Sequence, residues 1–348
     1  MTDFTAPLRL RLDGDALVSN WSWLNARSGK AACGAAIKAD GYGTGAAEVM
    51  RRLMKAGCRD FFVSNWGEAI AVEPLLEQGV SLAVLHGVRA EDMAAALQSR
   101  ARPVLNSPAQ IARWKGAGGG ACDVMVDTGM NRLGLDWRQD VVAETEELEV
   151  VTLLSHLASA DEDTPLTATQ LNRFQDIRNI VPAARYSLAN SAGICLGESY
   201  AFDLTRPGLA LYGGVPRAQA AGAIRQVVFP QAQVLQRRRV LAGDTIGYNA
   251  THIAERDMEV AVLNLGYADG YLRGFSGRGS VAFEGESLPV AGRVSMDLVA
   301  VDASRSPHVA EGDWVDIDYA LPSAAAASGL SQYELLTGLG ARFDRVWY

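Results

Sequence analysis

Between about residues 31 and 206, short apolar runs alternate with longer segments of helical character, and no other feature restricts the fold of this chain so strongly. The eight runs fall at residues 32–37, 60–63, 82–85, 103–105, 122–126, 150–154, 185–188 and 202–204. A strand covered on both faces reads as a continuous apolar run, and eight such strands with intervening helices make a closed (β/α)8 barrel of TIM type. Counting strands does not demonstrate closure, so an open doubly wound sheet stands as the alternative.

After about residue 225 the pattern changes. Strand-like segments at 231–240, 259–264, 288–293 and 314–318 follow one another with few long helical patterns between them, and alanine-rich residues 323–330 read as a short helix or loop. The expected class is therefore α/β plus β: a barrel domain over residues 1–225 and a C-terminal mainly-β domain over 226–348. A net charge of −8 with scattered Lys and Arg offers nucleic acid no landing surface. Asp3, Arg9, Arg11, Asp13 and Asp15 interrupt the N-terminus where a signal peptide needs an apolar core. No stretch approaches the roughly 20 apolar residues of a membrane span, so a cytoplasmic location is expected. Cys33, Cys58, Cys122 and Cys195 are too widely spaced for a zinc knuckle or a disulfide framework, and no metal site is expected.

Barrel enzymes carry their chemistry just beyond the C-terminal ends of the strands. Lys38 follows the first expected strand, Asp127 the fifth, His156 the sixth, Asn190 and Ser191 the seventh, and Arg206 the eighth. A lysine at the edge of an apolar interior loses its proton more readily, which suits Schiff-base or general-base work, although its stem could equally pack on apolar surface with the ammonium in water. Asp127-Thr128-Gly129-Met130-Asn131-Arg132-Leu133-Gly134 reads either as a glycine-punctuated turn or as the carrier of a carboxylate-binding guanidinium at Arg132. Asn190-Ser191-Ala192 and Arg206-Pro207-Gly208 lie where barrels hold phosphate with backbone amides and a helix start. In the second domain, Gly266-Tyr267-Ala268-Asp269-Gly270-Tyr271 sets two tyrosines in a glycine-bounded turn.

Taken in order, these segments resemble the alanine racemase family of fold-type-III pyridoxal-phosphate enzymes. The likeness also takes in Lys38 to Gly43, Ser155-His156-Leu157-Ala158, Tyr212-Gly213, Gly247-Tyr248, Gly292 to Asp297 and Tyr333-Glu334, so it spans nearly the whole chain. It implies interconversion of L- and D-alanine, D-alanine being a peptidoglycan precursor, by a head-to-tail homodimer whose two active sites each draw on both subunits. Lys38 would hold the aldehyde of pyridoxal 5'-phosphate and serve as one base, and Tyr267 of the partner subunit would be the opposite base. A phenol is a poor base alone, so a positive neighbour is expected beside it. Tyr42, Asn190, Ser191, Gly208, Leu209 and Tyr333 would cradle the cofactor around its phosphate. His156 would lie against the pyridine ring and Arg206 would contact its nitrogen. Arg132 and the backbone of Met296 would receive the substrate carboxylate.

Three positions depart from the family's usual pattern. Met125 stands where many members have a carbamylated lysine that orients the carboxylate-binding arginine. Thr44 replaces a histidine after Tyr-Gly, and Ser187 replaces the histidine that supports the pyridine-binding arginine. Alternatives at this level are a broad-specificity or serine racemase with the same bases, a fold-type-III decarboxylase or aldolase, and a non-catalytic pyridoxal-phosphate-binding protein. Tyr267 and the large second domain argue against the last two.

Overall fold

The structure is a computed structural model that describes residues 5–348. The chain divides into two compact units. One comprises Leu17–Leu211 with Val215–Arg225, and the other Gln226–Tyr348 together with Tyr212–Gly214 and the N-terminal segment through Ala16.

In the first unit, parallel strands run in the order Arg185–Ser187, Val150–Leu154, Cys122–Asp127, Arg102–Leu105, Ser81–Val84, Asp60–Val63 and Ala35–Ala36. Every residue of Asp60–Val63 and the first five of Cys122–Asp127 are buried, as the apolar runs require. The expected first strand is broken at Gly34, where a Cβ would stand 2.7 Å from the Asp60 carbonyl oxygen and 2.9 Å from the Phe62 ring. Its first half, Ala32–Cys33, turns to pair with Leu204–Thr205, the eighth strand. Backbone bonds then close the ring on both sides of that strand. The Gly34 and Ala36 amides donate to Thr205 and Pro207 at 2.9 Å each, and the Asp203 and Arg206 amides donate to Tyr186 at 3.0 Å and Ala189 at 2.8 Å. This closure sets aside the open doubly wound sheet. Pro103 lies within its strand opposite Val84.

Amphipathic helices cover the ring. Ala46–Ala56 buries Val49, Met50, Leu53 and Met54, and stops at Gly57, whose φ of 112° lets its amide reach the Leu53 and Met54 carbonyls. Thr164 caps Pro165–Ile180 by accepting from the Leu166 amide, with Pro165 in the first turn.

The N-terminal end of the barrel is closed by charge rather than by apolar side chains. Arg185 of the seventh strand reaches Asp60 of the second in a two-point ion pair of 2.7 and 3.1 Å, and Ser81 donates to the same carboxylate at 2.7 Å. Beside it, Arg102 meets buried Asp123 at 3.3 Å, and the Thr152 amide donates to Asp123 at 2.9 Å. Burial pushes the Asp123 carboxyl above its usual range against the pull of Arg102.

The second unit is built around Val228–Val240. Its first half pairs antiparallel with Leu8–Leu12 and Trp314–Ile317, and after an irregularity between Val234 and Gln236 its second half pairs with Met258–Leu263, which continues to Val299–Asp302. Leu8, Leu10 and Leu12 are buried on one face of their strand, and the same strand pairs parallel with Asp344–Trp347. The N-terminal strand thus belongs to this unit's sheet. Residues 323–330 fall largely in the helix Leu321–Ser328, ended by Gly329.

Asp60→Ala leaves Arg185 without its carboxylate and should cost about 2–3 kcal/mol of unfolding free energy, somewhat below the usual loss for a fully buried pair because Arg185 stays partly hydrated. Urea denaturation of Asp60→Ala, Arg185→Ala and the double variant checks this: the double variant should lose less than the sum of the singles.

Candidate active site

At the opposite, C-terminal end of the barrel the chain turns in an unusual way after Lys38. Ala39 (φ 52°), Asp40 (φ 51°), Gly41 (φ 63°) and Tyr42 (φ 55°) form one left-handed turn in which three residues carry side chains. Each such residue is disfavoured by roughly 1–2 kcal/mol, so the surrounding bonds must hold the turn. They do so at several points. The Gly41 amide donates to Ile37 at 2.8 Å, Gly43 to Ala39 at 2.9 Å and Gly45 to Asp40 at 2.8 Å. The Asp40 carboxylate accepts from the Ala46 amide at 2.9 Å. Buried Thr44 donates its hydroxyl to the Gly41 carbonyl at 2.6 Å, which gives this departure from the family pattern a local task.

The turn delivers Tyr42 to Gly208. A Cβ on Gly208 would stand 2.1 Å from the Tyr42 hydroxyl, so only glycine leaves the phenol its place. Ser191 accepts from the Gly208 amide at 2.9 Å and the Ala210 amide at 3.2 Å. Asn190 caps the short helix Ser191–Cys195 by accepting from Gly193 at 2.9 Å, and Leu209 is buried beside this group. The Tyr42 phenol and the Ser191 hydroxyl, whose proton is free to donate, stand beside a side-chain-free glycine, an arrangement suited to a phosphate.

Arg206 is buried and meets neutral acceptors only. One guanidinium nitrogen donates to the Ser187 hydroxyl, another to the Ser155 carbonyl at 2.6 Å, and Ser187 in turn donates to the Leu204 carbonyl at 2.5 Å. Ser187 therefore holds the Arg206 guanidinium, the supporting work that the resemblance would give to a histidine. Burial lowers the Arg206 guanidinium to about 10, with Asp123 pulling the other way. His156 follows the sixth strand, and burial, reinforced by Arg206, Arg132 and Lys38, lowers it to about 3, so its ring is neutral. The Lys38 amine has no hydrogen-bond partner among the described residues; burial lowers it first, then Arg132 and Arg206, while Glu68 opposes them.

Asp127 organises the turn that carries Arg132, accepting from the amides of Gly129 at 2.7 Å, Met130 at 2.8 Å and Arg132 at 2.8 Å. The Arg132 side chain is exposed and has no ion pair among the described residues. Met125 is buried under Gly134 and offers Arg132 no charge.

In the other unit, Tyr267 opens the turn Tyr267–Asp269, with its amide donating to Ser295 at 3.0 Å and the Ala268 amide to the Met296 carbonyl at 3.0 Å. Arg342 fixes this turn through Asp269 at 2.6 and 2.8 Å and Asp297 at 2.7 Å. The cation expected beside the phenol is Arg273, whose guanidinium carbon lies 5.2 Å from the Tyr267 ring centre. Met296 is 54% exposed and its amide has no partner among the described residues, while Tyr333 is exposed on the helix Gln332–Thr337.

Glu68 does not stand out as a site residue in the sequence. Asn65-Trp66-Gly67-Glu68 has the pattern of a helix start, and Asn65 does accept from the Glu68 amide at 3.1 Å. The Glu68 carboxylate, however, turns away to bind the Ala39 amide at 2.9 Å and the Ser64 amide at 2.7 Å. Asp123, whose charge reaches Arg206 through the barrel, was read only as part of an apolar run.

Because folded His156 binds its proton only near pH 3, the unfolded chain takes up one more proton below about pH 6.5, and stability is lost as pH falls through that range. An NMR titration of the cofactor-free protein should show the His156 imidazole neutral from pH 8 to 5. Ser187→Ala leaves a buried guanidinium hydrogen unbonded and should cost about 1–3 kcal/mol in denaturant unfolding.

Residues 12–216 match the model of the alanine racemase N-terminal domain, and residues 227–347 that of the alanine racemase C-terminal domain. The chain is 39% identical to an alanine racemase of Acidiphilium cryptum over 97% of its own length and 98% of the relative's. It is 40% identical to one of Rhodospirillum rubrum, over 97% and 94% of the two chains. The crystal structure of alanine racemase from Bartonella henselae with covalently bound pyridoxal phosphate superimposes with a TM-score of 0.91 at 34% identity, over 99% of this chain and all of that one. The chain belongs to the alanine racemase family.

Proposed function

We propose that this chain interconverts L- and D-alanine with pyridoxal 5'-phosphate joined to Lys38. The observation that carries the proposal is the Lys38 amine itself: partly buried at the barrel mouth, without a hydrogen-bond partner among the described residues, and depressed by burial, Arg132 and Arg206. The fit of the remaining residues supports the cofactor. Tyr42, Ser191, Gly208 and Leu209 would hold the phosphate, with Asn190 fixing the helix start, and Tyr333 is the further group the family resemblance assigns to it.

When bound, pyridoxal phosphate supplies a carbonyl for the substrate amine and a conjugated ring that takes up the charge left when Cα–H ionises. The chain's own residues then do the positioning and the proton transfer. Arg132 and the amide of the partner's Met296 bind the substrate carboxylate, and the unpaired guanidinium favours that use. His156, neutral and flat, would lie against the ring. Arg206 keeps its protons and would donate to the ring nitrogen. The Lys38 amine removes or returns a proton on one face of Cα. Inversion needs a base on the other face, because a single group returns the proton where it took it, and the partner subunit's Tyr267 fills that role with Arg273 beside it.

We take the working form to be a cytoplasmic homodimer with shared sites. Around Tyr267 the second unit exposes Tyr248, Met296 and Leu298, at 69%, 54% and 40%, which supports a partner on that face. No described helix is long and apolar enough to cross a membrane.

Incubated with cofactor and L-alanine in heavy water, the purified chain should yield D-alanine labelled at Cα, and alanine should exceed serine in a panel of L-amino acids. Tyr267→Phe should reduce racemisation about 10²–10⁴-fold while retaining the cofactor. Lys38→Ala should lose both activity and the borohydride-fixed cofactor. A wild-type chain that exchanges no label into alanine refutes the proposal.

A further inference from the structure

Glu68 lies outside every role assigned above, yet its carboxylate is placed where few side chains would be. One oxygen accepts from the Ala39 amide at 2.9 Å, directly after Lys38 and at the first residue of the left-handed turn. The other accepts from the Ser64 amide at 2.7 Å, directly after the strand Asp60–Val63. The carboxylate thus bridges the loops that leave two neighbouring barrel strands, and its own backbone is fixed by the Asn65 cap. Charge-assisted bonds of this kind are short and strong, and here they secure a conformation that costs energy to hold.

The charges facing Lys38 are uneven. Arg132 approaches from the turn after the fifth strand, Arg206 from the end of the eighth, and His156, neutral, from the end of the sixth. Asp40, on the lysine's own turn, is committed to the Ala46 amide. Glu68 is the anion acting on Lys38.

We propose that Glu68 is the positioning residue of the reactive lysine, holding the left-handed turn that aims Lys38 and balancing the two arginines that face it. The proposal rests on Lys38 being the cofactor lysine. Mechanistically, Glu68 touches neither substrate nor cofactor. It sets where the amine stands and how readily that amine keeps its proton, so that Lys38 can return a proton to Cα as well as remove one.

The test uses the full-length chain with Glu68→Gln, which removes the charge and one acceptor, and Glu68→Asp, which keeps the charge on a shorter arm. In cofactor-free protein, Lys38 reactivity toward acetic anhydride is followed against pH by peptide mass spectrometry. Removing an anion favours the neutral amine, so the Glu68→Gln midpoint should move to lower pH, and the Glu68→Asp midpoint should stay closer to wild type. In loaded enzyme, Glu68→Gln should lower kcat for alanine roughly 10- to 100-fold, the size of one lost charge-assisted bond, with KM changed less than about twofold. A Glu68→Gln protein with the wild-type midpoint or the wild-type kcat overturns the proposal. Failure of the underlying reading looks different: borohydride reduction of loaded wild type would then leave the Lys38 peptide unmodified.

Discussion

Three cations, Lys38, Arg132 and Arg206, share the mouth of the barrel, and none of them is in an ion pair among the described residues. Burial first, and then the repulsion of like charges, act on the groups able to lose a proton: the lysine amine is depressed and the histidine is held neutral. Arg206 is restrained by a hydroxyl and a carbonyl, so its charge is positioned without being cancelled. A site of this kind is incomplete until something anionic enters. The phosphate of a cofactor and the carboxylate of an amino acid are suitable, and under the proposed function the polar groups around Gly208 and the arm of Arg132 would divide the two tasks between them.

The rest of the barrel can be seen as the frame for this charge. Its far end is shut by paired ions: Arg185 reaches Asp60 across the ring, and Arg102 meets Asp123 on the neighbouring strand. Its near end holds backbone in a conformation that L-residues avoid, and the bonds of Thr44, Asp40 and Glu68 keep it there. Strain of this sort persists only where neighbours over-determine it, which is why the turn after Lys38 carries so many hydrogen bonds in so few residues.

Much of this architecture was readable from residue order. The barrel strands declare themselves because strands such as Asp60–Val63 are buried on both faces, and the candidate residues Lys38, Asp127, His156, Ser191 and Arg206 because they fall at or shortly after strand ends. The left-handed turn was not readable, since Ala39, Asp40 and Tyr42 are ordinary helix or loop residues and only Gly41 hints at positive φ. Glu68 was hidden behind a helix-start pattern that it satisfies with its amide while its carboxylate works elsewhere. Leu8–Leu12 alternates strictly between leucine and arginine, yet its strand depends on partners at the far end of the chain, which local periodicity does not reveal. Likewise Val228–Val240 begins before residue 231 because Pro230 is accommodated opposite Leu10.

That pairing of Leu8–Leu12 has a bearing on biogenesis. The strand is synthesised before the barrel sequence, but its neighbours Val228–Val240 and Asp344–Trp347 are synthesised only after it. The barrel can condense during translation, whereas the sheet of the second unit has to await those later strands with an alternating leucine strand unpaired. Long-range closure of this type is slow, and an unpaired edge invites pairing with other nascent chains, so the arginines between the leucines act as gatekeepers throughout that interval.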